Sequence, residues 1–191
     1  MIAVEDIPRP SPAPGEVLVR VAAAGVAPWD ALIREGKSKV SPPPPLTLGS
    51  DLSGVVEAVG PGVSQFKNGD EIYGVTNAQF VGANAEFAVA SASMLASKPP
   101  RLTRIEAASI PVVAVTAWQM LFEHARPDAG QRVMVLGAAG NVGASTRVLG
   151  NLTSRLVLEQ LNVCGSNGSS AGGKRIGSAD EGAKLYRLPG C

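Results

Sequence analysis

A short apolar run that breaks into spaced glycines limits most tightly what this chain can fold into. Arg132-Val133-Met134-Val135-Leu136 is apolar and β-branched and is bounded by Gly130 and Gly137, the pattern of a strand buried on both faces. Gly137, Gly140 and Gly143 then follow at intervals of three within GAAGNVG. Glycines placed directly after a strand permit a tight turn, let backbone approach a diphosphate, and allow the next helix to pack near the sheet. The start of that helix adds free N–H groups and a partial positive charge. On these residues alone, a glycine-rich surface turn without a ligand remains the alternative. No Lys-Ser/Thr pair follows the glycines, which excludes a nucleoside-triphosphate loop.

A strand–turn–helix needs neighbours, and 191 residues can supply one large or two small domains. Lys and Arg number 17 against 16 Asp and Glu, so no electrostatic footprint for nucleic acid or an anionic membrane is expected. Aromatic residues make up 4% of the chain, while Gly (22) and Pro (15) are abundant, which suits an α/β or β-rich protein with many turns. No apolar run reaches the length of a membrane span, and MIAVEDIPRPSPAPGE is acidic early and unlike a signal peptide. A cytoplasmic, reducing location is the expectation. His124 is the single histidine, and Cys164 and Cys191 both lie near the C-terminal end. A zinc site needs three or four converging Cys, His or carboxylate ligands, so no metal site is expected. His124 in LFEHARP reads as a cation-capable residue near a helix C-terminus.

Along the chain the pattern changes once. Val17, Val19 and Val21 alternate with Leu18 and Arg20, giving a strand with one buried face. Pro28 suits a first helical position and Gly36 a stop. KSKVSPPPPL reads as an extended loop, while TLGSDLSGVVEAVGPGV, NGDEIYGV and AEFAVAS read as further strands. Residues 1 to about 99 therefore form a β-rich, barrel-like unit. Thr103-Arg104-Ile105-Glu106 then spells a capping box, and PVVAVTAWQMLFEHA a longer helix beginning at Pro111. The expected division is residues 1–118, a β-rich domain; 119–150, the start of a nucleotide-binding domain; and 151–191, an unassigned tail. The fold class is α/β, a β-rich barrel followed by an incomplete β-α unit.

These pieces, in their order and spacing, resemble the zinc-independent quinone oxidoreductase branch of the medium-chain dehydrogenase/reductase superfamily. The resemblance rests on GEVLVRVAAAGVAPWD, LTLGSDLSGVVEAVGPGVSQFKNGDEIYGV, AEFAVAS, EAASIPVVAVTAWQML and VMVLGAAGNVGA, and covers residues 3 to 144. It implies a barrel resembling the GroES co-chaperonin, a Rossmann domain carrying NADPH, and hydride transfer to a quinone or α,β-unsaturated carbonyl. The partner it implies is a small-molecule substrate, with homodimers among full-length relatives. Gly137, Ala138, Ala139, Gly140, Asn141, Val142 and Gly143 would hold the diphosphate, and Thr116 in VTAW matches a position near the nicotinamide. A helix-interior threonine bonded to its own backbone is the alternative for Thr116. Trp29, Ser50, Asp51 and Asn77 sit in segments lining the family's substrate cleft, and for each a structural role stays open. Zinc-dependent relatives place a cysteine near AAGVAP and a histidine near LGSD, the neighbourhood in which Gly25 and Ser50 stand here.

Three departures temper what the resemblance implies. Ala27 stands where many relatives have Asn, and Gly36-Lys37-Ser38 where several have Tyr, so no catalytic acid is assigned. The segment before EDIPRPSPAPGE is shorter than the family's. After Gly143 the sequence leaves the pattern: Val148, Leu152 and Leu156 suggest one helix, LNVCGS a displaced second strand, and NGSSAGGKRIGSADEGAK a flexible tail. Glu159 lies about where the ribose-contacting acid of a dinucleotide fold is expected. The strand at 132–136 is thus expected to have at most one neighbour, and the chain to be a truncated enzyme that binds nicotinamide cofactor poorly. The rival expectation is a non-catalytic GroES-like module.

Overall fold

The computed structural model describes residues 2–128, 132–152, 157–161 and 185–186. It divides into two compact units, Met1–Val112 and Val113–Cys191, so the boundary falls inside the segment assigned above to the first domain.

The first unit is built on a five-stranded antiparallel sheet in the order β4-β1-β2-β3-β5. β1 spans Glu16–Ala24, β2 Asp51–Val59, β3 Glu71–Val75, β4 Phe87–Ser91 and β5 Leu95–Ser97. Val17 and Val19 are fully buried in β1, and slips in the β1/β2 register at Leu18/Val19 and Val21/Ala23 bend the pair. Leu18 is buried too, so the one-faced pattern expected for this strand begins only at Arg20. The core joins Val17 and Val19 to Leu52, Val56, Phe66 and Ile72. Between β1 and β2 lies α1, Pro28–Arg34, with Pro at its start, the Asp30 carboxylate accepting from the Ala27 N–H at 2.8 Å, and Gly36 (φ +67°) at its end. The capping box forms as its spelling predicts. At the head of α2, Arg104–Ala108, Thr103 Oγ1 accepts from the Glu106 N–H (3.2 Å) and Glu106 Oε2 from the Thr103 N–H (2.8 Å). That cap delivers Ala107 and Ala108 into the interior.

The second unit departs from expectation in the helix that starts at Pro111 and in the neighbours of β6. The helix starting at Pro111 is α-helical as α3, Pro111–Trp118, and continues as a π-helical segment over Gln119–Ala125. The Arg126 N–H reaches the Leu121 carbonyl five residues back, at 2.9 Å, with Arg126 at φ +45°. His124 is in its last turn. β6, Arg132–Leu136, leads into α4, Asn141–Leu152, and β7 follows at Val157–Leu161. Of the helical repeat expected at Val148, Leu152 and Leu156, α4 holds the first two, and Leu156 lies outside the described residues. The strand after α4 is VLEQL, whose five residues match RVMVL position for position from Arg132↔Val157 to Leu136↔Leu161, while the expected LNVCGS strand lies, beyond Leu161, outside the described residues. β8, Leu185–Tyr186, pairs with β6 on its other edge, also in parallel. β6 thus has a neighbour on each side, where at most one was expected. The expectation of a flexible tail at 167–184 lies outside the described residues. Among the described residues no helix is long and apolar enough to cross a membrane.

Candidate functional site

The glycine turn of the second unit is assembled from backbone. Gly137 leaves β6 at φ +76°, the Gly140 N–H closes onto the Gly137 carbonyl at 2.9 Å, and the Ala144 N–H opens α4 on the Gly140 carbonyl at 2.8 Å. The first-turn amides of Asn141, Val142 and Gly143 consequently have no acceptor inside their own helix and sit at its positive end. The three glycines do different work. A Cβ at Gly143 would run into the Gly137 carbonyl and lie 2.7 Å from the Ala138 Cα, so the helix can sit this close to the turn only with glycine there. A Cβ at Gly140 would find the Gly137 carbonyl at 3.4 Å and nothing nearer, so that position is open outward. Ala138 is buried with Leu121, Val133 and Val135, whereas Ala139 is exposed. Ser145 and Thr146 donate to the Asn141 and Val142 carbonyls, at 2.9 and 2.8 Å, which binds their hydroxyls to the helix itself. Thr116 lies in α3, partly buried.

In the first unit the structure gathers three of the four side chains named as substrate-wall candidates. Trp29 Nε1–H donates to Ser50 Oγ at 3.2 Å, and Ser50 donates in turn to Asp51 Oδ2 at 2.6 Å. The Val112 N–H donates to Asp51 Oδ1 at 2.8 Å. Ser50 and Asp51 are buried. Burial pushes the Asp51 carboxyl above its ordinary range; the bonds from Ser50 and Val112 pull it back, and the Asp30 charge adds to the rise. Asp30 is itself 7% exposed, and its Oδ1 has no hydrogen-bond partner.

Asn77 stands apart from that chain and shapes a loop. Its Oδ1 accepts from the Gln79 N–H and its Nδ2 donates to the Val81 carbonyl, both at 3.0 Å. The loop holds Phe80 at φ +58° with its ring edge-on to Trp29, 6.4 Å between centroids. Phe80 was missed from sequence, where the turn-forming Asn77 was its one signal. The loop at 37–41, read from sequence as an extended segment lacking the relatives' tyrosine, borders with Trp29, Phe80 and α1 an open groove of about 470 Å³.

No three His, Cys, Asp or Glu side chains converge as a metal-holding set among the described residues. A Cβ at Gly25 would lie 2.8 Å from the Ala108 carbonyl and 3.0 Å from the Asp51 Cβ, so a cysteine there would have no room.

Comparison with known proteins agrees with this architecture. Residues 13–100 match the alcohol dehydrogenase GroES-like domain. Quinone oxidoreductase from Rattus norvegicus is 36% identical over 171 residues, a match covering 90% of this chain and 50% of the relative. An alcohol dehydrogenase superfamily protein from Novosphingobium aromaticivorans superposes with a TM-score of 0.77 at 40% identity, over 82% of this chain and 48% of that one. A mycobacterial protein solved in complex with NADPH gives 0.69 at 32% identity, over 82% and 46%. The chain spans about half the length of the curated relatives it matches.

Proposed function

We propose, for a chain that belongs to the medium-chain dehydrogenase/reductase superfamily, the role of an NADPH-dependent, zinc-free oxidoreductase that passes hydride to a quinone or α,β-unsaturated carbonyl. The observation that carries this reading is the contrast within the glycine turn. Gly143 is closed by backbone and Gly140 is open, the arrangement that brings a helix N-terminus and a bare stretch of chain to face one anion. The amides of Asn141, Val142 and Gly143, with the exposed edge of the turn at Ala139 and Gly140, would hold a diphosphate. Thr116 is retained from the family resemblance as a contact to the nicotinamide end. The cofactor, when bound, supplies the hydride; the protein's own residues bind, orient and exclude water. NADPH over NADH is supported by the resemblance and by the NADPH complex of the mycobacterial relative. Glu159 is paired in register with Met134, within β7 rather than at its end, so that preference is not rested on it.

The zinc-free reading is supported by the packing at Gly25 and by Ser50, which spends its hydroxyl between Trp29 and Asp51. Poor cofactor binding is expected from sequence on two grounds, too few neighbours for β6 and missing adenine and ribose pockets that later strands would shape; β7 and β8 on either side of β6 remove the first ground and leave the second. The test is a fluorescence titration of the 191-residue chain with NADPH, alongside Gly140→Val. Saturable binding that weakens at least about tenfold in Gly140→Val, with an unchanged melting curve, is expected. No binding by the native chain would favour the rival reading, a non-catalytic GroES-like module, for which the absence of an amide at Ala27 and of a phenol at 36–38 already speaks.

A further inference from the structure

We propose that the groove beside Trp29 is an acceptor site for a flat aromatic ring bearing an anionic substituent, with Trp29 and Phe80 against the ring and Lys39 at the anion. The word acceptor rests on the oxidoreductase reading; the binding does not. At about 470 Å³ the groove is of the size that takes a small organic molecule. Its walls are Trp29, Leu32, Ile33, Val40, Phe80 and Val112. Trp29 and Phe80 already stand edge to face, and an inserted ring extends that contact on the flat side of the indole. The indole N–H is committed to Ser50, so Trp29 offers a ligand its carbon surface.

The polar groups of the groove are sorted by what already holds them. Ser38 donates to Ser41 Oγ at 2.9 Å and accepts from the Ser41 N–H at 3.0 Å, while Ser41 donates to the Gln79 carbonyl at 2.7 Å. This hydroxyl chain fastens the 37–41 loop to the loop carrying Phe80, so the two walls are tied before any ligand arrives. Lys37 Nζ is 2.8 Å from Glu35, whose carboxylate it holds below the usual range. Lys39 has no ion-pair partner among the described residues, and no carboxylate lines the groove. An uncommitted ammonium over an apolar slot with aromatic walls suits an anion attached to a ring, since Lys acts as a point charge at the rim while the ring is desolvated below.

The experiment titrates anthraquinone-2-carboxylate into the full chain carrying Trp118→Phe, so that Trp29 is the sole tryptophan reporter. Trp118 lies in the second unit against Phe122, and a phenyl ring keeps that contact. The uncharged carboxamide of the same ring system serves as comparator, with no nicotinamide cofactor present. Expected are saturable quenching by the carboxylate, a loss of about fivefold in affinity in Lys39→Gln that added salt reproduces in the parent, and a loss of about tenfold or more in Phe80→Ala. Equal binding of carboxylate and carboxamide, or indifference to either substitution in variants with unchanged melting curves, overturns the proposal. So does the absence of saturable quenching. A chain that reduces neutral quinones but fails this titration loses the anion site and keeps the oxidoreductase reading; one that binds through Lys39 but turns over no acceptor does the reverse.

Discussion

The two units build their candidate sites from different material. In the first, half-buried Trp29 and buried Ser50 and Asp51 form a hydrogen-bonded chain of side chains; in the second, the turn from Gly137 to Gly143 is backbone, and its specificity lies in Cβ atoms that are missing. A site of side chains is erased by truncation. A site of backbone is erased by addition. The two therefore respond to opposite kinds of substitution, and experiments can be arranged by how hard they press on that difference.

The largest effect is expected at Leu52, fully buried in β2 among Val17, Val19, Val56 and Ile72. Leu52→Ala removes buried methyl groups and leaves a cavity between strands that cannot collapse onto it, at about 2–5 kcal/mol. Urea unfolding of the first unit should report a midpoint lowered accordingly. A loss below about 1 kcal/mol would mean that the first unit does not draw its stability from this core, and the contrast with a backbone-built second unit would fail.

Next comes the glycine turn, where addition is the disruptive change. Gly143→Ala sets a methyl against the Gly137 carbonyl and the Ala138 Cα, neither of which can swing away as a side chain could. Overpacking of this kind costs about 1–3 kcal/mol, and NADPH binding should be lost with it. Gly140→Ala, whose methyl would sit 3.4 Å from the nearest atom, should leave the melting curve as it is. Equal destabilisation by the two alanines would erase the distinction between the closed and open glycines.

That distinction also marks what could be read from sequence. A glycine is legible because few residues replace it where backbone approaches backbone, and the strand, turn and helix around Gly137 follow from its spacing. So did α1, from Pro28 and Gly36, and α2, from Thr103 and Glu106, because caps and breakers act through neighbours in the chain. What escaped was long-range. Trp29 and Ser50 meet across 21 positions and Ser41 and Gln79 across 38, and nothing in the local pattern at Phe80 says that it faces Trp29. β8 escaped for the same reason: two residues, Leu185 and Tyr186, are too short for a periodic signal and become a strand only because β6 offers an edge.

A smaller effect is expected at Asp51, and its sign follows from burial. The folded-state value lies above the ordinary 3.8, so the protonated form is favoured by folding. That contribution is full below 3.8 and is lost as pH rises through the raised value. Asp51→Asn does not titrate, so the unfolding free energy of the native chain should fall relative to the variant between pH below 3.8 and neutrality. Measured by urea unfolding at both ends, a difference moving the other way would show that the bonds from Ser50 and Val112 outweigh desolvation at this carboxylate.

The smallest effect is expected where the first unit carries its charge on the surface. Glu71 on β3 accepts from Arg104 Nη2 at 2.8 Å and Nε at 3.1 Å, and Lys98 Nζ stands 3.4 Å from its second oxygen. The hydrogen bond from Arg104, with help from Lys98, holds the Glu71 carboxyl below its usual 4.5, so its contribution is present above 4.5 and fades as pH falls through the lowered value. Yet the carboxylate is exposed, and water and salt screen such pairs strongly. Its removal also strands no buried cation, because the Lys98 ammonium keeps the Leu102 carbonyl at 2.9 Å and the Pro99 carbonyl at 3.3 Å and the Arg104 side chain is exposed to water. Glu71→Gln should therefore shift the neutral-pH melting temperature far less than Leu52→Ala does, and the shift should shrink further in high salt and below pH 4.5. A shift as large as that of Leu52→Ala would mean that β3 is held at its edge by charge rather than from beneath by Ile72, and that the first unit's sheet depends on its rim.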